Sequence, residues 1–254
     1  METTTEKAVM LLITGITNFA CFPALYVLYH KKMTLQFHIG VFTFVTSFLY
    51  HSLESLGWKQ LYLRVGRWHM LDNIGSIMCF IILLVYFMDN LHKKDNCYAS
   101  KNVCNTDINL IMIGGGVTLV MQTKHPWDLE NTVCPILLFV GVLVVKLVFW
   151  RKPRVNSEYL KKGGLLMLCA VICFVRGLDD ETDYLRFWHG CWHCFVGLSS
   201  FFLWQSVEKD SPLPGVNVTK FQKQPKFEFW PVLAKVLTFR FFQKTQKKPT
   251  YYKA

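Results

Sequence analysis

Apolar residues along this chain are bunched into long blocks separated by short charged stretches, with neither a helical nor a strand period. A hydrocarbon core of roughly 30 Å takes about 20 apolar residues to cross, so such blocks predict membrane spans. Seven stand out: Ala8–Leu28, Phe37–Leu56, Trp68–Met88, Ile108–Met121, Cys134–Trp150, Gly164–Arg176 and Tyr184–Trp204. The fourth and sixth are short. Lipid offers no partner to backbone N–H and C=O groups, so every span is predicted to be a helix. The expected architecture is all-α: a seven-transmembrane helix bundle over residues 1–206, then a tail over 207–254. The first block has small residues at Ala20 and Ala24 where a signal peptide is cut in other chains, but its apolar run continues to Leu28. That length predicts a retained helix.

Charge changes the picture by setting topology. The net charge is +11, from 28 Lys and Arg against 17 Asp and Glu. In a chain of spans this is no signal for nucleic acid; basic loops stay cytoplasmic. The N-terminus and the loops after spans two, four and six carry six cations: Lys7, Lys59, Arg64, Arg67, Lys124 and Arg186. The loops after spans one, three and five carry ten, and the tail another ten. The N-terminus is therefore expected outside or lumenal and the C-terminus in the cytosol. On that topology Cys97 and Cys104 share a cytosolic loop as free thiols, and the sequon Asn217-Val218-Thr219 is not glycosylated. The acidic loop 179–183 falls outside and reads as a solvated turn. In the tail, residues 227–248 place Phe229, Trp230, Leu233, Leu237 and Phe241 near helical spacing among basic residues, predicting an interfacial helix on the anionic cytoplasmic leaflet.

Candidate chemistry comes from polar residues inside spans, where ionisable groups are costly. Ser47 and His51 lie toward the outer end of span two, Asp72 one turn inside the outer end of span three, and His189 and His193 in the outer half of span seven. Three helices thus bring unusual polar residues to one depth, a coincidence independent of the Lys and Arg count. Residues i and i+4 share a helix face, so Ser47 pairs with His51 and His189 with His193. Two His one turn apart can chelate a metal ion. A third from a facing helix makes a three-His set with a fourth position open to water, the pattern of a catalytic zinc site. Asp72 and Ser47 then fall where they can hydrogen-bond that water, with Asp72 accepting its proton. The same residues also suit a polar cluster gluing helices together. His69 reads as an interfacial or supporting residue, and Glu54, three after His51, as a group that orients the ring or faces water. Gly114-Gly115-Gly116 permits a close helix approach or a kink. Cys191 and Cys194 form a lone CxxC, weak as a metal or redox signal.

A Ser-x-x-x-His in span two, an Asp early in span three and a His-x-x-x-His in the last span resemble the CREST superfamily. That superfamily includes alkaline ceramidases, adiponectin-receptor-type proteins and a branch with myomaker and a GPI-lipid-remodelling phospholipase. SFLYHSLE (residues 47–54), LDNIGS (71–76) and DYLRFWHGCWHCFVGLS (183–199) are similar to that last branch. The resemblance covers roughly residues 8–204 and not the tail. It implies zinc bound by His51, His189 and His193, a water held by Asp72 and Ser47, an N-terminus facing out, and hydrolysis of an amide or ester bond in a membrane lipid. The opening METTTEKAV lacks the acidic motif of alkaline ceramidases, so ceramide is disfavoured. The expectation is a zinc-dependent intramembrane lipid hydrolase in the plasma membrane or a secretory-pathway membrane. The alternative is a non-catalytic receptor, scaffold or membrane-remodelling factor with a structural zinc site.

Overall fold

The computed structural model describes residues 3–89, 105–149, 155–179 and 182–207. Cys97, Cys104, the sequon and the proposed tail helix at 227–248 lie outside the described residues. Seven helical rods follow one another among those described: α1 Thr4–His30, α2 Thr34–Leu56, α3 Val65–Asp89, α4 Asn105–Lys124, α5 Leu129–Phe149, α6 Ser157–Arg176 and α7 Phe187–Ser206. A two-residue antiparallel ladder, β1 Gln60–Leu61 with β2 Leu63–Arg64, joins α2 to α3.

The rod ends differ from the block ends because caps set them. Thr3 and Glu6 form a reciprocal capping box at the start of α1, satisfying two of the orphan N–H groups that every helix start exposes. α2 stops at Gly57, whose φ of 69° closes the last turn in the left-handed region. Asn156 accepts from the N–H groups of Glu158 and Tyr159 and so starts α6 seven residues before its apolar block. α7 begins three residues later than its block. Arg186 takes a left-handed conformation there, with φ 58°, and the Asp183 carboxylate receives the N–H groups of Trp188 and His189 at 3.0 and 3.1 Å. Asp183 is buried at 3% exposure, which corrects the reading of loop 179–183 as a wholly solvated turn: one of its acids is a helix cap.

α1, α3 and α5 are long and apolar enough to cross a membrane by length and composition. α2 and α7 have 23 and 20 residues, long enough at about 1.5 Å per residue. Their composition is diluted by the polar residues that attract attention to them. α3 lies between α2, α4 and α5 and buries Ile77, Ile81, Val85 and Met88 against Phe139 of α5. α7 packs on α6 along one side and on α1 along another. Gly190 and Gly197, two turns apart on α7, sit against the α1 backbone, where a Cβ at Gly190 would lie 2.5 Å from Ile13 O and one at Gly197 2.7 Å from Ala20 O. This small-residue stripe lets the two backbones touch. Of the three successive glycines in α4, Gly114 faces Phe139 and Ile81 at close range while Gly116 faces open space; the helix runs through them.

Candidate metal centre

His51 of α2 and His189 and His193 of α7 converge into a triangle. The ring centroids are 4.7 Å apart for His51–His189, 4.7 Å for His51–His193 and 4.8 Å for His189–His193. One ring nitrogen from each lies within 4.8 Å of the others, making a group able to hold a metal ion. His51 Nε2 and His189 Nε2 are 3.2 Å apart. Two nitrogens bound tetrahedrally at about 2.0–2.1 Å are separated by roughly 3.3 Å, so this edge already has the required length.

The outer contact of the His193 ring points its lone pair inward. His193 Nδ1 lies 3.1 Å from the Thr14 carbonyl and 3.3 Å from Thr17 Oγ1. A carbonyl only accepts, so Nδ1 carries the proton and Nε2 presents its lone pair to the cluster. The Thr14 carbonyl sits where α1 leaves the α-helical pattern, widening over Leu11–Gly15 into a π-type turn and tightening over Ile16–Cys21 into a 3₁₀ turn. Such interruptions redirect backbone groups that a regular helix would use internally. Asn18 Nδ2 donates to the same carbonyl at 2.7 Å. His51 Nδ1 lies 3.5 Å from Glu54 Oε2, and Glu54 Oε1 in turn accepts from Tyr50 Oη at 2.7 Å and meets Arg186 at 3.5 Å. A carboxylate behind a ligating imidazole is the usual arrangement for fixing its orientation.

Asp72 of α3 brings its Oδ2 to 3.6 Å from His51 Nε2. The Ser47 and Ser76 hydroxyls lie beside this carboxylate, while Oδ1 is buried and has no hydrogen-bond partner. His51 Nδ1 is likewise buried without an aligned hydrogen bond. The unsatisfied Asp72 Oδ1 beside three converging imidazoles fits a group that binds there, because buried polar atoms without partners are rare. Ser47, His51, Asp72, His189 and His193 all line one cavity of about 1090 Å³.

All five residues singled out in the sequence are thus brought together, with Glu54 behind His51. His69 is set apart: its ring stacks on Trp127 at 3.8 Å and packs against Tyr50 at 4.8 Å. Cys191 and Cys194 are free and stand outside the histidine triangle. Sequence reasoning missed Thr14, Thr17, Ser76 and Asp183. The signal for the first two was Thr14-x-x-Thr17-Asn18, a polar patch in an otherwise apolar first block.

Fold and site together define a helical protein with membrane-compatible helices and a buried three-histidine group. The chain belongs to the family described as "Protein of unknown function (DUF3522)", which matches residues 6–194. That match runs from the first turn of α1 to the residue after His193 and so contains every residue of the cluster. No curated protein matches the chain in sequence.

Proposed function

We propose that this chain is a seven-span membrane protein that hydrolyses an amide or ester bond of a membrane lipid, using a zinc ion held by His51, His189 and His193. The observation that carries the reading is the cavity. Its polar end is the histidine cluster with Asp72 and Ser47, and its walls are apolar, extending along the bundle to Leu83, Phe87, Leu203 and Trp204. At about 1090 Å³ it exceeds the usual range for small-ligand pockets, roughly 300–1,000 Å³, and suits a molecule with long hydrocarbon chains. Ile136 and Leu143 of α5 and Met167 and Phe174 of α6 are among the residues that line it. α5 packs on α3 and α4 while α6 packs on α7, so a lipid can reach the cavity sideways between them.

Seven spans are supported by the outward faces of the other helices. Leu119 and Val120 on α4 and Leu165, Leu168 and Ile172 on α6 are exposed. At the end bearing the cluster, Trp58, Tyr62, Trp127, Tyr184 and Phe187 are exposed as well, as at a membrane–water interface. The charge count supports an outer or lumenal position for this end. The resemblance to the CREST superfamily supports the same chemistry.

When bound, such an ion supplies Lewis acidity and lowers the pKa of water to about 7. The Asp72 carboxylate, with its free Oδ1, accepts the proton of the attacking water and later returns it to the leaving oxygen or nitrogen. Ser47 donates a hydrogen bond that orients the carboxylate or the developing oxyanion. The apolar walls hold the acyl chain and exclude bulk water.

Metal content tests the reading. Detergent-purified wild type is expected to carry about one zinc per chain and His189→Ala/His193→Ala none, both monodisperse. Asp72→Asn is expected to keep zinc and fold but to lose lipid hydrolysis by about 10²–10⁴-fold. A well-folded wild type without zinc would sink the hydrolase reading. A zinc-loaded Asp72→Asn with full cellular activity would make the metal structural and the protein a non-catalytic membrane factor.

A further inference from the structure

A second cavity, of about 550 Å³, opens on the surface between the start of α3 and the α4–α5 turn. Arg64, Arg67, Lys124 and His125 line it, with Trp127 as an aromatic wall and Asp128 as the carboxylate among its lining residues. Arg64, Arg67 and Lys124 are exposed, and no salt bridge engages any of the three among the described residues; Arg67 touches only the Met70 sulfur, at 3.7 Å. Their concentration is the unusual feature. On the proposed topology the N-terminus and the outer loops together carry six Lys and Arg, since cations are depleted from non-cytoplasmic loops. Three of those six converge on this groove.

The groove is also coupled to the metal centre by position. Trp127 stacks on His69 with ring centroids 3.8 Å apart, His69 meets Tyr50 at 4.8 Å, and Tyr50 meets His51 at 4.5 Å. A second tie lies beneath it: Asn73, next to Asp72, donates to Gln122 Oε1 at 3.1 Å and to the Pro126 carbonyl at 2.8 Å. The turn carrying Lys124 and His125 is therefore fixed against the helix that carries Asp72. Unpaired guanidinium groups with a nearby ammonium make a fork-and-point arrangement suited to phosphate oxygens.

We infer that this groove binds the phosphate-bearing, net anionic headgroup of a lipid in the outer or lumenal leaflet, the headgroup of the lipid whose chains occupy the apolar cavity. The inference deepens the proposed function and rests on it for the orientation of the bundle. The headgroup then sits at the membrane surface beside the histidine cluster, and anionic phospholipids are preferred over zwitterionic ones.

The test is lipid binding to the full detergent-solubilised chain, followed by native mass spectrometry. The probes are phosphatidate and phosphatidylcholine of identical acyl chains. Phosphatidate is expected to bind about tenfold or more tightly, for charge-assisted contacts to three cations, and the preference is expected to shrink as salt rises. Arg64→Ala/Arg67→Ala/Lys124→Ala is expected to abolish the preference with an unchanged unfolding midpoint. His189→Ala/His193→Ala is expected to retain it, so failure of the metal reading leaves this result intact. Equal binding of the two lipids by wild type overturns the inference, as does a folded triple variant that still prefers phosphatidate. Displacement of phosphatidate by an equal concentration of inorganic phosphate overturns the assignment to a lipid headgroup.

Discussion

Gly190→Ala tests how α1 holds the metal centre together. The added Cβ would lie 2.5 Å from both Ile13 O and Ile13 Cγ2. Ordinary contact begins at 3.4 Å, so α1 must retreat by about 0.9 Å. His193 stands one turn further along α7, and its Nδ1 is 3.1 Å from the Thr14 carbonyl, the residue after Ile13. A retreat of that size lengthens the contact to about 4 Å, beyond hydrogen-bond range. Overpacking of this kind costs about 1–3 kcal/mol and the lost hydrogen bond about 0.5–1.5 kcal/mol. Replacing a helical Gly by Ala returns about 1 kcal/mol. The net expectation is a loss of about 0.5–3.5 kcal/mol, and metal affinity lower by about 10–100-fold once a ligand's orienting contact is gone. Thermal unfolding in detergent and metal competition with a chelator read the two effects separately. Gly116→Ala is the control: nothing lies within 4 Å of its Cβ, so it is expected to be neutral or slightly stabilising. An unchanged midpoint and metal affinity for Gly190→Ala, alongside a neutral Gly116→Ala, would refute the role assigned to the close contact of α1 with α7.

Two further perturbations probe the supports of the cluster. Asp183→Ala removes the acceptor for the N–H groups of Trp188 and His189; it is expected to lower stability by about 0.5–2 kcal/mol, measured by denaturant titration, and an unchanged midpoint would show that water replaces the carboxylate. Glu54→Gln leaves Tyr50 a neutral acceptor but withdraws the charge 3.5 Å behind His51 Nδ1. It is expected to weaken metal binding by about tenfold or more with little change in the unfolding midpoint, and equal loss of both would make Glu54 a packing residue instead.

The helices and the centre of the site are legible in the sequence for a common physical reason. A helix in an apolar setting has few admissible polar positions, so Ser47, His51, Asp72, His189 and His193 stand out against Phe, Leu, Ile and Val. Their i, i+4 spacing fixes which share a face, and the surplus of cations on alternate loops predicts a direction for each apolar block. Those cues together place five residues from three helices at one end of the bundle before any coordinates are known. Helix ends are less legible, because they depend on caps such as Asn156 and Asp183, and a lone Asp in an acidic loop looks the same whether it meets water or two backbone N–H groups.

The contribution of α1 is hidden for a different reason. Thr14 acts through its carbonyl oxygen, which every residue possesses, and that oxygen meets His193 and Asn18 at the place where the helix widens over Leu11–Gly15. Gly190 and Gly197 act by what they lack. Their spacing of seven is visible, yet only the packed α7–α1 interface reveals that they bring Ile13 and Ala20 into backbone contact. This also accounts for histidines in so greasy a segment as WHGCWHC. His189 looks across to His51, while His193 is braced from behind by the α1 backbone that Gly190 admits. Each imidazole is satisfied on its outer side or aimed at its neighbours, so α7 carries two of them into an apolar environment at the cost of a narrow glycine seam. A bulky residue in that seam should therefore disable the centre without touching a ligand.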